Sequence, residues 1–278
     1  MAIRIGDVWD RTTAVIADRG GALFGIALLL AALPTIVHDA VVAYGGPSAG
    51  MKLFAGLLNL VVAALTIWGT LSMIAVASEP GVDRARGLSL GGSRWLAGVG
   101  VTLLLLVVVA VLFVPAGVLM AASGFDFTRA QAGLEQVNLS TGPLAAAVLY
   151  SLVATLFLLW AAARLFVLYP VILHERLGAG AIRRSFALTR GYTWKLIGVL
   201  ILYVIVFLVV LAAASGIIGV IVGLILGREQ AATTTFIVAI VAALITAGFS
   251  VLQAVFPTRF YLAVRDEKDG VAAPVAPA

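Results

Sequence analysis

Residues 164–199 read RLFVLYPVILHERLGAGAIRRSFALTRGYTWKLIGV, and the order of polarity in this stretch decides the fold. It begins as the end of a long apolar run, which Pro170 is expected to stop because proline breaks a helix's hydrogen-bond ladder. A polar elbow follows at His174-Glu175-Arg176, then a Gly178-Ala179-Gly180 link. In the next segment Ile182, Phe186 and Thr189 share one helical face, while Arg183, Arg184 and Arg190 lie away from it. Trp194 and Lys195 then open another apolar run. This is the pattern of a chain that leaves a membrane, lies along its surface and re-enters.

Composition agrees. Of the 278 residues, 63% are hydrophobic and 11% charged, and the mean hydropathy is +1.15. Soluble domains carry about 45–50% apolar and about 25% charged residues, so the expected class is an all-α integral membrane protein. The absence of cysteine excludes disulfide and thiolate chemistry.

Working outward gives six apolar spans, at about 22–44, 53–77, 95–121, 143–169, 194–226 and 235–256. Each is long enough to cross roughly 30 Å of hydrocarbon. The fifth exceeds the usual ~17–25 residues, so a break near Ser215-Gly216 or a steep tilt is expected. The sixth is expected to end at Pro257. Residues 1–265 form one domain, and 266–278 a disordered tail of small residues and proline. The polar opening before Ala22 is too long for the basic start of a signal peptide, so no cleavage is expected. Its Ile5, Val8, Thr12, Val15 and Ile16 fit one face of a surface helix.

Fourteen basic residues fall on the side of the termini: Arg4, Arg11, Arg19, Arg84, Arg86, Arg94, Arg176, Arg183, Arg184, Arg190, Lys195, Arg259, Arg265 and Lys268. Only Lys52, Arg129 and Arg228 fall on the other, and Arg164 is left inside a span. The positive-inside rule therefore places both termini in the cytoplasm. Trp9, Trp95 and Trp194 fall at that boundary as expected interfacial anchors.

A weak internal repeat accompanies this topology. A shift of the chain by 100 positions sets Arg84, Leu88, Ser89, Gly91, Ser93, Leu96, Gly98 and Val99 against Arg184, Leu188, Thr189, Gly191, Thr193, Leu196, Gly198 and Val199. The unit would be a surface segment followed by a membrane hairpin, present three times.

The run Pro170-Val171-Ile172-Leu173-His174-Glu175, then Ala181, Arg184-Ser185, Leu188-Thr189-Arg190-Gly191, Trp194 and Gly198, resembles the signature of the glycerophosphoryl diester phosphodiesterase membrane domain family and of related bacterial six-helix proteins. The similarity extends thinly to Gly6-Asp7-Val8. The resemblance implies a multi-pass protein of the bacterial inner membrane. Family members with enzymatic activity carry a soluble barrel after the membrane part; too few residues follow the last span here, so no enzyme is expected.

Little chemistry is written in the chain. His38 and His174 fall on opposite expected sides of the membrane and cannot share a metal, and no zinc, phosphate-loop or HExxH pattern occurs. No catalytic residue, metal or cofactor is therefore assigned. His38-Asp39 reads either as a proton-relay pair or as two groups in contact with boundary water. Asn138-Leu139-Ser140 is a formal glycosylation sequon. Gly219 and Gly223 form a GxxxG, read as a site of close helix approach.

Arg164 is the most informative single residue. Arginine within a span costs about 2.5–3.5 kcal/mol and is usually paired or functional. It either snorkels to the interface or binds an anionic head group, with Glu175 as the expected partner if the elbow folds back. Arg183, Arg184, Arg190 and Lys195 complete the candidate site, since each basic side chain gains about 1 kcal/mol beside an anionic leaflet; the alternative is that they serve only as a topogenic signal. The charges are spread among membrane-flanking loops, which argues against nucleic acid. The expected partners are phospholipid and another membrane protein. Two functional readings stay open: a non-catalytic protein that organises or senses lipid or supports an envelope complex, and a transporter or channel-like protein for a small or amphipathic solute.

Overall fold

Helices carry the whole fold, and most are longer than a bilayer requires. The computed structural model describes residues 3–46, 48–131, 133–135 and 139–270. Six helices are long and apolar enough to cross a membrane. The first, α1 (Ile5–Tyr44), has 40 residues, or about 60 Å at 1.5 Å per residue, twice the hydrocarbon thickness. The expected surface helix and first span are therefore one element. A π-turn at Leu28–Ala32 interrupts it, with Leu33 N–H donating to the Leu28 carbonyl. Pro34 follows directly; its ring would clash with the carbonyl four residues back, and the wider turn gives it room.

Five further long helices follow, with three short helices among them. Ser48 caps α2 (Ala49–Ser78) by accepting from Met51 N–H at 3.2 Å. Asp83 caps α3 (Arg84–Ala122) by accepting from Arg86 N–H at 2.8 Å. The polar 84–94 segment is thus the first turns of a span rather than a separate surface helix. After the short α4 (Phe127–Gln131) comes α5 (Thr141–Arg164). It ends at Arg164, five residues before the expected end of the fourth span, in a turn closed by Leu168 N–H donating to the Leu165 carbonyl at 2.9 Å. Pro170 sits in the first turn of α6 (Leu168–His174), where a missing N–H costs nothing. Pro170 therefore starts a helix here instead of stopping one.

Of the segments expected to lie along the cytoplasmic surface, α7 (Gly180–Leu188) is the one that forms a helix of its own among the described residues. Its fully buried row is Ala181, Ser185 and Leu188, continued by Thr189 just past its end, with Ile182 and Phe186 half-buried beside it. The expected Ile182–Phe186–Thr189 face is rotated accordingly. Next, α8 (Thr193–Leu226) runs unbroken through Ser215-Gly216 and ends at Gly227, whose φ of +75° needs a glycine. Last, α9 (Ala231–Lys268) carries the buried Pro257 inside it and continues to Lys268. The sixth span does not end at Pro257, and residues 266–268 are helical rather than tail. Membrane helices tolerate an interior proline where neighbours cover the freed carbonyl. Residues 271–278, and Asn138 of the sequon, lie outside the described residues.

The long helices form a ring in chain order, α1 against α2, then α3, α5, α8 and α9, which returns to α1; α2 and α9 also touch across the middle. In lipid, apolar burial does not drive helices together, so close approach of small residues carries the packing. Gly87, Gly91 and Gly98 of α3 lie directly on Val76, Ser72 and Leu71 of α2. Trp68 and Trp95 tie the same pair, donating to the carbonyls of Leu88 at 2.9 Å and Ala64 at 2.7 Å. Trp95 is therefore a cross-tie, while Trp194, 85% exposed, and Trp9 are free to anchor at an interface. The GxxxG pair sits against Val238 and Thr234 of α9, as close helix approach requires.

Candidate functional site

The end of the bundle that carries α6 and α7 is where the candidate residues meet. The turn after α6 reverses the chain through Arg176, whose φ of +55° places it in the left-handed region. That reversal lays α7 across the ends of α5 and α9. The Ser185 hydroxyl donates to the Arg164 carbonyl at 2.8 Å, and the Thr189 hydroxyl lies between that carbonyl, at 3.1 Å, and the Ser185 carbonyl, at 2.8 Å. They satisfy one of the carbonyls that a helix end leaves open. Sequence reasoning placed Thr189 on a face and missed Ser185; the signal was the i, i+4 hydroxyl pair on one side of an amphipathic helix.

Glu175 pairs with Arg184 and not with Arg164. Arg184 Nε donates to both Glu175 oxygens at 2.9 Å, and its terminal nitrogen reaches Asp269 at 2.6 Å. Tyr261 O–H donates to Glu175 at 3.2 Å. The carboxylate hydrogen bond holds the Arg184 pKa above its ordinary value. His174 stacks on the Tyr261 ring at 5.5 Å and lies 2.7 Å from the Ser78 hydroxyl. That hydroxyl also lies 2.7 Å from the Ile74 carbonyl.

Lys268 closes the other end of α7, donating to the carbonyls of Ala187, Leu188 and Arg190 at 2.8–3.2 Å. An ammonium is favoured there by the helix dipole. Tyr192 O–H donates to Glu267 at 2.6 Å and accepts from Ile3 N–H at 3.4 Å. Burial, and then Glu267, push the Tyr192 pKa up.

Arg164 is the group left over. Its guanidinium makes one long contact, 3.4 Å to the Thr193 hydroxyl, and lies 5.1 Å from the Phe186 ring centre. Its Nε is shut off from solvent and has no acceptor. No carboxylate pairs with it among the described residues. Burial lowers the Lys268 pKa, the Glu267 charge opposes that shift and those of Arg164, Arg190 and Arg184 add to it; of these arginines, Arg184 is the one paired with carboxylates among the described residues. Arg183, Arg190 and Lys195 are exposed. Lys195 Nζ sits 5.8 Å from the Tyr192 ring centre.

Six candidates thus divide into two sets. Glu175 and Arg184 form a structural clamp, while Arg164, Arg183, Arg190 and Lys195 are cations with no carboxylate paired to them among the described residues. No cluster of metal-ligating side chains exists among the described residues. Comparison with protein-family models, with curated proteins and with solved structures finds no match for this chain.

Proposed function

We propose that the chain is a non-catalytic protein of the bacterial inner membrane that binds anionic phospholipid at this basic end, and so organises or senses lipid or supports an envelope complex. The observation that carries this reading is Arg164: a half-buried guanidinium with an orphaned Nε and no anion. A buried charge left unpaired is costly, and the planar fork of arginine matches a phosphate through two parallel hydrogen bonds. Below it the helices offer room for acyl chains. On α8 residues 204–206 and 208–210 are exposed, while Tyr203 and Phe207 are half-buried against Phe249 of α9. On α5 the covered stripe is Ala147, Ala154 and Ala163, and Leu152, Val153 and Leu156 stand free. The basic end is assigned to the cytoplasmic leaflet, whose anionic lipids attract such clusters.

Transport of a small or amphipathic solute is the second reading. It draws on a pair of titratable side chains in the C-terminal part of the first long helix, His38 Nδ1 and Asp39 Oδ1, 3.0 Å apart. Coupled transporters place ion and substrate ligands near the midplane, and the lipid reading needs no such group.

Phospholipid retained after purification in mild detergent tests the proposal. Arg164→Leu is expected to leave the protein folded, by its melting temperature, and to lose anionic lipid. Arg164→Lys, which keeps the charge and loses the fork, is expected to be intermediate. Unchanged anionic lipid in both variants would contradict the proposal and leave Arg164 a snorkelling residue.

A further inference from the structure

A second guanidinium is orphaned on the other side of the bundle, at the seam of α1 and α9. Arg259 lies between the buried residues Thr258 and Phe260, on the part of α9 that α1 crosses. Val8 and Thr12 of α1 are buried there, and the Trp9 ring is 6.2 Å from that of Phe256. The Arg259 Nε is closed to solvent with no acceptor, and no hydrogen bond or ion pair to this side chain occurs among the described residues. The charges that act on it are Arg19 and Arg11, both on α1.

Arg19 is already committed. Its terminal nitrogen donates to the Val76 carbonyl at 2.6 Å and to the Glu79 carbonyl, capping the end of α2, and its Nε reaches Asp18 at 3.3 Å. Arg11 is exposed, and no bond or ion pair to it is present among the described residues. Asp7 and Asp10 share its helix, yet no ion pair joins either to Arg11 or Arg259. Arg259 is thus half-buried at this seam with no anion paired to it among the described residues, and the charges that reach it, from the exposed Arg11 and the committed Arg19 of α1, are both positive. Like charges in a poorly solvated place repel, and a desolvated cation without an acceptor costs stability. Both costs are removed by an oxyanion placed at the seam.

We infer that the α1–α9 seam is a phosphate-binding site, formed by Arg259 and Arg11, for the phosphate of a phospholipid head group or for a free phosphate ester. It shares no residue with the Arg164 cluster and does not depend on the function proposed above. Trp9, 46% exposed beside the site, stands where an interfacial aromatic flanks a head group.

The test uses the full-length protein in a neutral detergent, in the Arg164→Leu background so that the first site is silent. Melting temperature is followed during titration with inorganic phosphate, with short-chain phosphatidylglycerol and with short-chain phosphatidylcholine, at constant ionic strength. A shift with phosphatidylglycerol alone identifies a lipid head group, and a shift with phosphate as well identifies a site that also takes the free ion. In either case Arg259→Gln is expected to abolish the shift. Arg11→Gln, which removes one charged hydrogen-bond donor group, is expected to raise the half-saturating concentration about tenfold or more. Because Arg11 is exposed, that variant decides the matter even if Arg259→Gln does not fold. No shift with any of the three additives, or equal shifts with Arg11→Gln in place, would overturn the inference.

Discussion

Arg176 is the residue on which the site turns. It holds a positive φ beside the Gly178-Ala179-Gly180 link, where a glycine would be expected to take that conformation, while neither glycine of the link does. A non-glycine residue in the left-handed region costs about 1–2 kcal/mol. Arg176→Gly is therefore expected to leave the melting temperature unchanged or slightly raised, and Arg176→Val to lower it; a clear loss with glycine would show that the side chain itself holds the elbow. Glu175 has the opposite character. Its pair with Arg184 is about a quarter exposed on both sides, so Glu175→Gln is expected to cost about 1–2 kcal/mol, between the values of exposed and buried pairs. The pair was only half legible in the sequence. Both residues stood out as charges in an elbow, but which arginine meets Glu175 depends on the backbone reversal at Arg176, and no spacing rule encodes that. Arg164 was legible because a cation near the end of an apolar run is conspicuous, whereas Arg259 was hidden among the basic residues that flank the last span.

At the scale of elements, the α2–α3 hairpin makes the sharpest prediction. A Cβ on Gly91 would stand 2.7 Å from Ser72 N and 2.9 Å from Ser72 Cα. Backbone cannot swing aside as a side chain can, so Gly91→Ala is expected to cost about 1–3 kcal/mol by overpacking. Gly117→Ala, with nothing within 4 Å, is the control and should be neutral in the same thermal-unfolding measurement. Two glycines of the weak repeat also show where element boundaries escape the sequence. Gly91 lies inside the continuous α3, while Gly191, its counterpart, turns the chain at a φ of +94° between α7 and α8. The same local pattern makes one long helix in the first copy and a helix-turn-helix in the second. In the first copy Ser72 and Trp68 of α2 hold the segment straight; in the second Arg164 and Lys268 gather α7 onto the bundle end. Proline is ambiguous in the same way: by sequence alone Pro170 and Pro257 signal stops, and tertiary neighbours make them a helix start and a helix interior.

For the whole molecule, number and order of spans were legible because hydropathy over some twenty residues is a signal that no neighbour overrides. How far each helix projects beyond the bilayer was not, since polar turns continue a helix when other helices support them. The account rests on all the projecting, basic helix ends lying in the cytoplasm, against an anionic leaflet. The chain has no cysteine of its own, so single cysteines placed at the exposed positions Ser48, Ala130, Gln230 and Ser89 report orientation without background. Labelling of intact cells with a membrane-impermeant thiol reagent is expected at the first three and not at Ser89. Labelling at Ser89 with protection at Ser48, Ala130 and Gln230 would place the arginine cluster on the opposite leaflet and contradict the account.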